Sequence, residues 1–145
     1  THGFFLDFVD AFNKAEGTRE EKIIKAIKLL DNTDGWFSIA IYDKVTNTTY
    51  YFKDDRTNMN LVKFKIGKVQ YFFMTTSDNN VALVESVATN KASLQKFKAY
   101  TIYRIKPQNS YIHIQRIGKI EKKPAVVFTF FSMIVKSIRV RCFKP

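Results

Sequence analysis

Apolar residues at the start of the chain repeat with the period of a helix. Phe4, Phe5, Phe8, Val9 and Phe12 fall on one side of it, so residues 3–14 are expected to form an amphipathic helix with an aromatic face. Gly17 ends that helix. Thr18-Arg19-Glu20-Glu21 then reads as a capping box, in which the threonine hydroxyl accepts from the Glu21 N–H and the Glu21 carboxylate reaches back. The second helix turns Ile23, Ile24, Ile27 and Leu30 inward and its lysines outward, until the polar run 31–35 stops it.

From Trp36 the period drops to two. Residues 36–42 read as a strand, 43–47 as a turn and 48–52 as the hairpin partner. Residues 61–64 and 69–75 flank a turn at Gly67, and 100–105 and 111–115 form a third hairpin around 107–110. Between the last two hairpins, Ser77 or Asp78 caps a short helix carrying Val81, Leu83, Val84 and Val87. The order is two helices, four strands, one helix, two strands. Helices segregated from antiparallel hairpins define an α+β layered fold. In residues 124–145, Val126, Val127, Phe128, Phe130, Phe131, Ile134, Val135, Ile138 and Val140 favour strands, being mostly β-branched or aromatic. A strand pair covering a sheet edge is expected there, with a dimerisation strand or a membrane-touching segment as alternatives.

Composition narrows the picture. The 145 residues, 46% hydrophobic and 26% charged, suit one folded domain and exclude a disordered or collagen-like chain. One cysteine, Cys142, excludes an internal disulfide framework and a multi-cysteine zinc site, and points to a reducing, cytoplasmic setting. A component of a virion or another assembly is the alternative setting. With two histidines, His2 and His113, no metal is expected, and no cofactor either. The opening residues lack a basic region and meet Asp7 at once, unlike a signal peptide. The longest uncharged stretch of the tail, 124–135, falls short of the ~20 apolar residues that cross a bilayer, so no transmembrane segment is expected.

The net charge of +11 is unevenly placed. Residues 1–95 balance at 12 basic and 12 acidic, whereas 96–145 hold 12 basic residues and one acid, Glu121. Lys119, Lys122, Lys123, Lys136, Arg139 and Arg141 are therefore candidates for binding a polyanion, whether nucleic acid or an acidic protein surface. Against this, lysine outnumbers arginine 18 to 6, the balance of a solvated face. Lys96, Phe97, Lys98, Tyr100, Tyr103, Arg104 and Lys106 mix charge with aromatics in the manner of a nucleic-acid surface. Strand alternation splits that set, with Tyr100, Ile102 and Arg104 on one face and Thr101, Tyr103 and Ile105 on the other.

Other candidate chemistry is sparse. His2 reads as an exposed residue at a helix entry, and His113, between Ile112 and Ile114, as solvent-facing. Asp54-Asp55-Arg56 reads as a strand-end turn with a local ion pair rather than a catalytic carboxylate pair. Cys142 lies among Arg139, Arg141 and Lys144 with no base nearby. There is no P-loop, no Rossmann glycine pattern and no HExxH.

Taken in order, several segments resemble the class II glutamine amidotransferases, closest to the glutaminase domain of glucosamine-6-phosphate synthase. They are the polar entry Thr1-His2-Gly3, the run Ala15-Glu-Gly-Thr-Arg-Glu-Glu leading to Ile24–Leu30, and the strand Gly35-Trp-Phe-Ser-Ile-Ala-Ile-Tyr-Asp43. Tyr50-Tyr-Phe-Lys-Asp-Asp-Arg56, Thr75-Thr-Ser-Asp78 and Tyr100–Lys106 are similar to later parts of the same domain. The resemblance covers residues 1–117, taken as the C-terminal portion of such a domain, with 118–145 as a basic, β-prone extension. It implies an αββα sandwich of the N-terminal nucleophile hydrolase type, here partial.

The family's nucleophile is an N-terminal cysteine whose free α-amine acts as base. Here the chain opens on Thr1, and no Asn-Gly oxyanion element occurs. The resemblance thus implies the second half of a glutaminase domain, with Thr1, His2 and Gly3 forming a wall beside the substrate. No catalytic residue is expected in the chain. Thr1 could act as a nucleophile only with an oxyanion hole and an orienting partner. Activity on glutamine would need a cysteine-bearing N-terminal segment or partner chain. The alternative is a non-catalytic processed structural or binding protein on the same fold, using its basic C-terminal third.

Overall fold

The computed structural model describes residues 2–77 and 79–122, with the backbone alone for His2. Helices α1 (His2–Lys14) and α2 (Arg19–Ile27) form where the apolar pattern places them. Gly17 separates them at φ +115°, and a β-carbon there would lie 2.7 Å from Glu21 Oε1. That carboxylate accepts from the Thr18 N–H at 2.7 Å, and the Glu21 N–H donates to the Thr18 hydroxyl at 3.2 Å. Both bonds of the capping box are therefore made, and they hold the Glu21 carboxyl below its ordinary pKa. A 3-10 turn, Lys28–Leu30, extends α2.

Seven strands follow: β1 (Ser38–Asp43), β2 (Thr48–Lys53), β3 (Asn60–Ile66), β4 (Val69–Thr75), β5 (Ser93–Lys96), β6 (Thr101–Gln108) and β7 (Tyr111–Lys119). A short helix α3 (Asn79–Glu85) lies between β4 and β5, with the Ser77 hydroxyl accepting from the Asn79 N–H at 3.3 Å. All pairings are antiparallel and make two sheets, β1-β2-β6-β7 and β4-β3-β5. The broad α+β expectation holds.

Two details differ from the pattern. β5 has no counterpart in it, because Ser93-Leu94-Gln95-Lys96 offers one apolar residue; its place comes from backbone pairing to β3, Asn60↔Lys96 through Lys63↔Ser93. β1 starts later than expected, leaving Trp36 78% exposed with Arg56 over its ring. The backbone of Phe37 is engaged instead with Asp54, its N–H donating to the carboxylate at 3.1 Å and its carbonyl accepting from the Asp54 N–H at 2.9 Å.

β2 shows how the layers divide. Its alternation sends Tyr50 and Phe52 into one core and Tyr51 into another. The first core lies between the helices and the four-stranded sheet, where Phe8, Ile23, Ala26 and Ile27 meet Phe52, Ile102 and Ile120. The second lies between the sheets, where Tyr51, Tyr103 and Ile105 meet Leu61 and Phe97, with Phe72 and Met74 packed alongside. Each fully buried large apolar side chain contributes roughly 1.5–3 kcal/mol. The layers therefore run helices, four-stranded sheet, three-stranded sheet. On β6 the expected split of faces is observed: Ile102 faces the helices, Tyr103 and Ile105 the second sheet. β7 continues through Lys119, with a register shift opposite Ile102 and Tyr103.

Candidate functional site

The two ends of the four-stranded sheet differ in chemistry. At one end α1 begins, and the Phe4 ring meets those of Phe8 and Phe52 at 6.0 and 6.4 Å between centroids. Gly3 therefore stands near the end of β2, and a β-carbon there would meet nothing within 4 Å. Of the expected wall, Gly3 thus borders open space, His2 contributes backbone to α1, and Thr1 lies outside the described residues.

Asp54 is fully buried and organises the end of β2. Its carboxylate accepts from the N–H groups of Phe37, Arg56 and Thr57 at 3.0–3.1 Å. Lys53, also buried, donates to the Asp54 carbonyl at 3.0 Å. The neighbouring Asp55 is bound to Lys122 at 3.0 Å, an ion pair that lowers the pKa of one and raises that of the other. The Asp54-Asp55 run is accordingly a turn, with its ion pair to Lys122 instead of Arg56. The Ser38 and Tyr51 hydroxyls lie 2.7 Å apart, and burial pushes the Tyr51 phenol up.

Of the basic candidates, Lys119 and Lys122 fall among the described residues. Lys119 is exposed at the end of β7, its carbonyl accepting from Lys28 Nζ at 2.9 Å. Lys122 is committed to Asp55 and lies 5.7 Å from the Tyr100 ring. Lys123, Lys136, Arg139, Arg141 and Cys142, with the apolar segment expected to form strands, lie outside the described residues.

The opposite end of the sheet holds a cavity of about 340 Å³. The first turn of α2 and Thr46 of the β1–β2 turn wall it, and side chains of β2, β6 and β7 floor it. In the wall, Arg19 donates through Nε and Nη2 to the buried Asp43 carboxylate at 2.6 and 2.8 Å. The Thr46 hydroxyl and the Val45 N–H donate to the same carboxylate at 2.9 and 3.1 Å. Arg19 chiefly, helped by those donors, holds the Asp43 carboxyl down at about 2 against the opposing effect of burial.

On the floor, Arg104 Nη1 bridges both oxygens of Glu20 at 2.8 Å, while its Nη2 donates to Gln115. The Tyr50 hydroxyl donates towards Glu20 at 3.4 Å, and burial, then the nearby Glu20 charge, raises its pKa to about 12. Lys106 and His113 oppose each other across β6 and β7. Among the described residues no carboxylate pairs with Lys106. Two arginines are thus matched by two carboxylates, and Lys106 leaves the cavity one positive charge in excess.

No family model, curated protein or solved structure matches this chain. Among the described residues no group of His, Cys, Asp and Glu is placed to hold a metal ion, and no helix is long and apolar enough to cross a membrane. The cavity was not legible as a site in the sequence. Its signal is the alternating set Arg104, Lys106, Gln108 facing Gln115 and His113, which marks a polar sheet face without showing how far a helix covers it.

Proposed function

We propose that this chain is the later portion of a class II glutaminase domain, built as an αββα sandwich of the N-terminal nucleophile hydrolase type. The observation that carries the reading is the layering: two helices over a four-stranded antiparallel sheet, with a second antiparallel sheet on its other face. The resembling segments 35–43, 50–56 and 100–106 fall on β1, the end of β2 and β6, the strands of the four-stranded sheet beneath the helices.

In this reading the attacking thiolate comes from a cysteine-bearing segment or partner chain. It adds to the carboxamide carbon of glutamine, ammonia leaves with a proton relayed by the α-amine, and water then cleaves the glutamyl thioester to glutamate. This chain supplies the wall at Thr1, His2 and Gly3 and the scaffold behind it. None of its residues forms a bond to substrate.

Ammonia release from glutamine tests the reading, together with the intact mass and N-terminal sequence of the native protein. The polypeptide alone should give no turnover, with or without Cys142→Ala. A native form or complex that includes a cysteine-led segment should give turnover lost on Cys→Ser at that position. Turnover by the isolated Cys142→Ala polypeptide would overturn the assignment, as would a native complex with such a segment and no glutaminase activity.

A further inference from the structure

The cavity at the start of α2 is separate from the end of the sheet where Gly3 stands, and the glutaminase reading makes no use of it. We propose that it binds a small molecule bearing a phosphate group, held by Lys106 and His113 on the strand floor and gated by the Glu20–Arg104 pair. Its volume of about 340 Å³ falls within the range of small-molecule sites, roughly 300–1,000 Å³.

Its chemistry favours an oxyanion. Arg19 is consumed by Asp43 and Arg104 by Glu20, so the uncompensated charge resides on Lys106. Directly across the strand pair stands His113, and Gln108 continues the same face of β6. An ammonium, an imidazole and an amide thus line one face of two adjacent strands and offer N–H donors there. That arrangement suits a phosphate with three terminal oxygens, for which lysine serves as a point-charge partner. An arriving phosphate competes with Glu20 for Arg104, so the existing ion pair holds a second cation in reserve. The first turn of α2 and the β1–β2 turn wall the cavity on two sides, while Lys106, Gln108 and His113 on its floor are exposed and open to an arriving ligand.

The test titrates the full chain with inorganic pyrophosphate at constant ionic strength and follows backbone amides by NMR. Saturable shifts should be confined to residues near 19–20, 46–48, 104–108 and 113–115. Lys106→Ala should weaken binding about tenfold, the loss of one charge-assisted hydrogen bond. Lys119→Ala should leave it unchanged. Glu20→Gln should tighten it several-fold by releasing Arg104, an effect of opposite sign that general damage to the fold would not produce.

Failure to saturate in the millimolar range would overturn the proposal. So would equal weakening by Lys119→Ala, or weaker binding in Glu20→Gln. Displacement of pyrophosphate by a DNA duplex whose own affinity collapses with added salt would overturn it too, in favour of an extended nucleic-acid surface.

Discussion

Replacing Asp43 by asparagine keeps the size of the side chain and removes its charge. The native carboxylate, nearly out of solvent, receives four hydrogen bonds, two of them from the Arg19 guanidinium. Its pKa falls from 3.8 to about 2, so folding favours the ionised form by roughly 2.5 kcal/mol at about 1.4 kcal/mol per pKa unit. Because the folded value lies below the unfolded one, that contribution is complete above about pH 5 and drains away as pH falls through 4 towards 2. Asp43→Asn also turns an NH₂ group towards donors that had an acceptor. Urea unfolding at neutral pH should therefore show a loss of about 2–3 kcal/mol. The gap between the native and variant proteins should shrink steadily as the comparison moves to about pH 3. A gap of the same size at both pH values would refute the electrostatic account, leaving shape alone as the cause. A neutral-pH loss under about 0.5 kcal/mol would mean that Arg19 and Asp43 do not pair in solution.

Three further outcomes follow from the packing. Phe52→Ala removes the ring on which Phe4 and Phe37 rest, and should cost about 3–5 kcal/mol in urea unfolding while speeding amide exchange in α1. Thr18→Ala deletes one half of the capping box and should cost about 1 kcal/mol, with the loss of exchange protection centred on the first turn of α2. Lys122→Ala breaks an exposed ion pair, so its unfolding midpoint should match that of the native protein in high salt.

Much of the fold was legible because local and global preferences agree. The capping box at Thr18 marks the start of α2, and the alternation in β2 and β6 names faces that the structure buries; of the helical repeat in α1, Phe8 is buried and Phe4 and Phe12 pack beside it, while Phe5 and Val9 stay exposed. β5 was invisible because Ser93–Lys96 is placed by the pairing needs of β3 rather than by its own side chains. Trp36 misled in the other direction: its aromatic bulk reads as strand, yet the adjacent backbone is held by Asp54 and the ring stays in solvent. The cavity draws on α2, the β1–β2 turn, β2, β6 and β7, elements far apart in the chain, with Glu20 meeting Arg104 across 84 positions. Nothing in one-dimensional spacing reports that α2 ends its cover where those strands continue.

Adjacent residues of β2 belong to different cores, Tyr50 and Phe52 to one and Tyr51 to the other. The strand has no idle side. Shortening the turn after Asp43 by one residue, and so sliding β2 by one position, would exchange the two sets and spoil both interiors together. Neither the helical layer nor the outer sheet can be lifted off as an independent module, so loss of one should appear in the same transition as loss of the other.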